Sequence, residues 1–159
     1  MANLIYLTIE GKNQGLISSG CSTFESIGNK YQKAHGDEIF VLSFEHDMTR
    51  AMNINHMPVS FTKLIDKSSP LLGVAITENE ELSLHFKFYR TSETGGVELY
   101  YSIKINKAFI VKLSVIYPHA INHADNQPEE LISIKYSDIQ WSHHIARTSG
   151  YSIWGESSF

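Results

Sequence analysis

Eight histidines, a single cysteine and a short run of glutamates are the side chains with reactive or metal-binding potential. His119 and His123 stand four apart, a spacing that on a helix would offer two imidazoles to zinc. They follow Pro118 and precede Asp125, Asn126 and Pro128, a loop-like context in which the spacing guarantees no convergence. His143 and His144 are adjacent, so on a strand they point to opposite faces. A metal site needs several convergent ligands, so solvated or hydrogen-bonded histidines are expected, with no metal and no cofactor. Cys21 lies between Gly20 and Ser22 with no basic neighbour to lower its pKa. No G-x-S-x-G turn occurs, and Gly95-Gly96 reads as a turn because no helix follows it. Asp66 precedes a helix start, where free N–H groups and the dipole favour a carboxylate. Glu78, Glu80 and Glu81 read as a solvated rim, with a contact to a neighbour's Lys or Arg as the sharper alternative. Nothing in this set does catalysis, and the chain is expected not to be an enzyme.

The elements that must carry these residues are mostly strands. The exception is Val59 to Asn79, where the pattern changes from strand to helix. Phe61, Leu64 and Ile65 close a β-like run; Ser69 is placed as N-cap and Pro70 at the first helical position. Leu71, Leu72, Ala75 and Ile76 then share a face, with Val74 at its edge, predicting one short α-helix over about residues 69–78. About ten residues cannot hold a helix alone, so it must dock on strands.

Before it, Leu4 to Ile9 alternates as a first strand, and Gly11, Asn13 and Gly15 make a turn. Ser18 to Gly36 reads as a long loop with a short strand at Ser26–Gly28. Glu38 to Glu45 is a strand with Phe40, Leu42 and Phe44 on one side and Ile39, Val41 and Ser43 on the other. His46 to Pro58 is a loop or extended hairpin with Met48, Met52, Ile54 and Met57. Leu82 to Tyr89 alternates cleanly, and TSETGG (91–96) turns the chain. Odd positions from Val97 to Tyr117 are apolar with one exception, predicting a single bent strand whose parity survives Asn106-Lys107-Ala108. Such a strand can serve both sheets of a barrel. Leu131 to Trp141 is a last strong strand, with a parity switch near Ser137-Asp138 that predicts a β-bulge; the tail from Ser142 is weaker.

The 159 residues, 42% hydrophobic and 19% charged, suit one domain, 1–159, with a proper core. The net charge of −4 without a Lys/Arg cluster argues against nucleic-acid binding. A single cysteine excludes an intrachain disulfide and fits folding in a reducing cytoplasm. The start, MANLIYLTIEGKNQG, has no basic leader or cleavage site, so no signal peptide is expected. No apolar run approaches the roughly 18 residues that span a bilayer, so no membrane insertion is expected. The long strand carries Tyr100, Ala108, Ile110 and Ile116 on its even face, and the 38–45 strand carries Ile39 and Val41 on its second face. A small barrel has one interior, so this second apolar set calls for a partner.

SFTKLIDKSSPLL, Ser60 to Leu72, resembles the signature of the Hcp (hemolysin-coregulated protein) family, the tube protein of the bacterial type VI secretion system. The match is dense over those thirteen residues and looser elsewhere, where the order of strands and turns agrees. The resemblance implies a mainly β fold, a compact two-sheet β-barrel or sandwich with one short helix. It implies homohexameric rings that stack into a hollow tube, with contractile sheath proteins outside, a spike protein at the tip, and effectors carried into target cells. The protein would be cytoplasmic before firing and then secreted without a signal peptide. By the same resemblance Met48, Met52, Ile54 and Met57 belong to a ring-assembly loop, and Ser43 faces the lumen. The alternatives from other classes are a monomeric ligand-binding β-barrel and a metal-dependent enzyme using the histidines.

Overall fold

Alternating β-branched and aromatic residues dictate strands along most of the chain, and the computed structural model describes residues 3–30 and 32–154. Both ends of the expected 1–159 domain lie outside the described residues. The elements are β1 (Leu4–Gly11), β2 (Gly15–Leu16), α1 (Phe24–Ile27), β3 (Ile39–Glu45), β4 (Met48–Arg50), β5 (Ile54–His56), β6 (Val59–Leu64), α2 (Ser69–Thr77), β7 (Leu82–Thr91), β8 (Val97–Ile116), β9 (Glu129–Lys135), β10 (Asp138–His143) and β11 (Thr148–Ile153). Pairing runs from β8 through β7, β1, β3, β6 and β9, and β9 returns to β8, so the sheet closes on itself. The closure uses the length of β8: residues 97–108 pair with β7, and residues 109–116 with β9. On its other edge the first half of β8 pairs with β10, which carries β11 outward. β4 and β5 form a separate two-stranded sheet.

Inside the ring lie Leu7, Ile9, Ile39, Val41, Phe61, Phe86, Ile105, Ile132 and Ile134, all packed into one core. α2 packs against β8. It buries Leu72 and Ala75, keeps Leu71 and Ile76 half-buried against the core, and leaves Val74 exposed. That is the face its spacing predicts. Its start differs from expectation: Ser68 holds the cap position, with no side-chain cap bond. The Ser69 hydroxyl is used elsewhere, accepting from the Asp66 amide and bonding to Glu130.

Face assignments change in two strands, each at an irregularity in pairing. In β3 the register shifts between Val41 and Ser43, leaving Leu42 as an extra residue. Ile39 and Val41 therefore point into the core, and after the bulge it is Phe44 that does so, against Phe86 at 4.8 Å and Phe88 at 5.3 Å. Ser43 does not share a face with Ile39 and Val41, and those two residues need no partner. In β8 the single long strand is present, but its parity breaks at Lys107, whose φ of 49° is left-handed. Ala108 and Ile110 turn inward while Val111 and Val115 are exposed. A second shift between Ile110 and Lys112 brings Leu113 back to the core. The Leu131–Trp141 stretch is two strands rather than one with a bulge. The chain breaks at Tyr136-Ser137, and the parity switch keeps Ile134, Tyr136 and Ile139 all buried.

The Ser18–Gly36 segment also departs from the expected loop and short strand. It holds α1 and two 3₁₀ turns, Gly28–Lys30 and Lys33–His35. Thr23 stands at the N-cap of α1, and Gly28, at φ 67° and ψ −135°, ends it in a positive-φ conformation open to glycine.

Candidate functional site

The Met-containing segment is a hairpin. Thr49 pairs with Asn55 at its centre, and Met48 and Arg50 pair with His56 and Ile54. Met52 at its tip is 87% exposed, Met48 and Met57 at its base are exposed too, and Ile54 is half-buried. Methionine is an adaptable apolar contact residue, so a projecting strand pair tipped with it is suited to docking. Ser43 lies one strand away, exposed, its hydroxyl 2.5 Å from that of Thr62 on β6. The other exposed apolar side chains include Val111, Val115, Ile116 and Tyr117 at the far end of β8. Exposed apolar surface is therefore real, but it lies there rather than at Ala108, Ile110, Ile39 and Val41.

The root of the hairpin is polar and enclosed. His46, just before β4, places Nε2 2.8 Å from the Tyr136 hydroxyl, and His56 of β5 places Nδ1 at the same distance from the same oxygen. Ser152 of β11 meets His56 Nε2 at 3.0 Å. The Trp154 ring stacks on His56 and meets Tyr136 edge-on. Burial lowers the pKa of both histidines, and for His46 the neighbouring His56 lowers it further. Burial also raises that of the Tyr136 phenol.

The Hcp-like signature folds into a buried ionic node. Val59, Phe61 and Lys63 share one parity on β6, so Lys63 points inward and is fully buried. Its ammonium lies 2.7 Å from Glu130 Oε1 and 3.0 Å from Asp66 Oδ1, and donates to the Leu64 carbonyl at 2.9 Å. Asp66 Oδ1 also accepts from the Ser68 amide and hydroxyl, so the carboxylate before the helix serves an ion pair as well as the helix start. Cys21 is buried beside this node; burial first, then the Asp66 charge, pushes its thiol up to about 12, so it stays protonated at neutral pH.

The remaining candidates are structural. Glu80 is buried rather than part of a solvated rim. It accepts from the Asn13 and Gln14 amides at 3.0 and 2.9 Å and from the Gln14 side chain at 2.9 Å. Burial would raise its pKa, but those donors outweigh burial and hold the carboxyl below its ordinary value. His119 Nδ1 accepts from the Ile121 and Asn122 amides, a local turn role. Sequence reasoning missed Lys63, Glu130 and the His46–Tyr136–His56 cluster. For Lys63 a signal existed, a lysine at a core-facing parity. For the cluster none did, because its members come together only through pairing of distant segments.

The chain resembles known proteins over nearly all of its length. A family model described as type VI secretion system effector, Hcp, matches residues 6–143. The chain is 42% identical over 150 residues to a protein of Escherichia coli (strain K12) named uncharacterized protein YhhZ, covering 93% of this chain and 37% of that protein's length. It is 35% identical to a Pseudomonas aeruginosa protein named major exported protein, covering 97% of this chain and 96% of that one. Among solved structures, one described as the crystal structure of Hcp protein superposes with a TM-score of 0.91 at 36% identity, covering 96% of this chain and 98% of that chain. Secreted protein Hcp3 from Pseudomonas aeruginosa superposes with a TM-score of 0.87 at 37% identity, covering 96% and 99%.

Proposed function

This chain belongs to the Hcp family of type VI secretion proteins, and from that premise we propose that it is a structural subunit of the secretion tube. Six copies close head-to-tail into a ring by heterologous contacts, and rings stack into a hollow tube. Contractile sheath proteins surround the tube, a spike protein tips it, and effectors travel with it into the target cell. The subunit waits in the cytoplasm and is exported with the tube, in keeping with the name of its Pseudomonas aeruginosa relative. Residues 1–159 act as one Hcp-like β-barrel domain, and the role requires no catalysis.

The observation that carries this reading is the β4–β5 hairpin, a strand pair outside the barrel sheet with Met52 at its tip nearly fully exposed. Met48, Met52, Ile54 and Met57 are assigned to ring assembly, and Ser43 to the lumen wall. A monomeric ligand-binding barrel is disfavoured because the interior is filled by Leu7, Phe61, Phe86, Ile105 and Ile132. Light scattering on the purified protein tests the reading: a species of about six times the monomer mass is expected. Purely monomeric behaviour at micromolar concentration and moderate salt overturns it.

A further inference from the structure

A two-stranded hairpin standing apart from the main sheet is marginal by itself and depends on what holds its open end. In this protein both feet of the β4–β5 hairpin are held by one hydrogen-bonded cluster. His46 precedes β4, His56 ends β5, Tyr136 links β9 to β10, and Ser152 lies on β11.

These contacts limit how many protons the cluster can hold. In one neutral arrangement His46 Nε2 accepts the Tyr136 O–H. The Tyr136 oxygen then accepts from His56 Nδ1–H, and His56 Nε2 accepts from the Ser152 hydroxyl. One added proton is accommodated. If His56 takes it, the Ser152 hydroxyl rotates to become an acceptor. If His46 takes it, the chain reverses: Tyr136 donates to His56 Nδ1, and His56 Nε2–H donates to Ser152. Two added protons are not accommodated. Both imidazolium rings then aim N–H at one phenol oxygen, the buried Tyr136 hydroxyl loses its acceptor, and two positive charges face each other across it.

We propose that the His46–Tyr136–His56–Ser152 cluster is a proton-counting latch that holds the root of the β4–β5 hairpin with no added proton or one, and releases it when both imidazoles are charged. The surrounding charges do not cancel this. Asp47 favours a charged His46, His56 opposes it, and Lys135 sits over the Trp154 ring that stacks on His56. Burial holds both imidazoles below their ordinary value of 6.5 in the folded protein. An unfolded or released hairpin therefore binds protons more readily than the latched one. The latch is complete above pH 6.5 and weakens as pH falls from there through the lowered folded values. The latch stands apart from the assembly reading, because the test follows the hairpin itself.

Hydrogen exchange of segment 46–57 in the full chain, at about pH 7.5 and about pH 5 with the oligomeric state checked by light scattering at both, tests the latch. After correction for intrinsic exchange, wild-type protection in the hairpin should fall by about tenfold or more while β7 amides hold. Tyr136→Phe, which removes the shared oxygen, should be loosened already at the higher pH and change by less than about twofold. His56→Gln, which keeps a neutral donor and acceptor, should stay protected at both. Unchanged wild-type protection, or either variant showing the full wild-type response, overturns the latch.

Discussion

Replacing Lys63 by Met puts the buried node of the Hcp signature to its most direct test. The ammonium is fully buried and satisfies two carboxylates, at 2.7 and 3.0 Å, and the Leu64 carbonyl at 2.9 Å. Methionine fills much of the same volume, so packing changes little and the loss is electrostatic. Asp66 and Glu130 are left buried as uncompensated charges, and Asp66 Oδ2 already lacks a hydrogen-bond partner. Removing one partner of a buried ion pair costs about 3–5 kcal/mol. Two stranded carboxylates place Lys63→Met at the upper end of that range, a large part of the roughly 5–15 kcal/mol that holds a domain together. With a urea slope near 2 kcal/mol per molar, the midpoint should fall by about 2 M. Denaturation curves on single rings or monomers read this without interference from tube formation. Lys63→Met combined with Asp66→Asn and Glu130→Gln removes all three charges and should recover more than half of the loss. A loss of less than about 1 kcal/mol for the single variant, or a triple variant no better than it, would refute the reasoning.

Three further outcomes are expected. Leu72→Ala removes a fully buried side chain from the inner face of α2 and should cost about 2–5 kcal/mol in chemical denaturation; a loss below about 1 kcal/mol means α2 is docked by another face. Met52→Asp with Ile54→Asp should leave the circular dichroism of the subunit unchanged and weaken rings or tubes in light scattering and microscopy; unaltered assembly removes the hairpin from the interface. Ser43→Glu places a charge on the exposed side of β3 and should preserve the ring while lowering co-purification of a lumenal effector. Loss of the ring would put Ser43 at a seam, and no effect on either would put it at neither.

Local pattern alone was enough for the identity and type of most elements. Period-two alternation gave β1, β3, β7 and the twenty-residue β8. Apolar spacing placed α2 and its buried Leu72 and Ala75, and thirteen residues of signature pointed to the family. These features depend on neighbours a few positions apart, which is the range over which a sequence pattern acts. Tertiary structure decided which face of each strand is inside. Leu42 and Lys107 are ordinary strand residues with nothing in their type to mark a bulge, and each reverses the parity of the residues after it. The reversal at Lys107 falls where β8 leaves β7 and joins β9 to close the barrel, and that at Leu42 where β3 shifts register on β6, constraints set by partners far along the chain. The same distance hid the two polar clusters. Glu130 reaches Lys63 across 67 positions, and Tyr136 reaches His56 across 80 and His46 across 90. Only pairing of β6 with β9, and of β10 with β11 behind it, brings those side chains within hydrogen-bond reach.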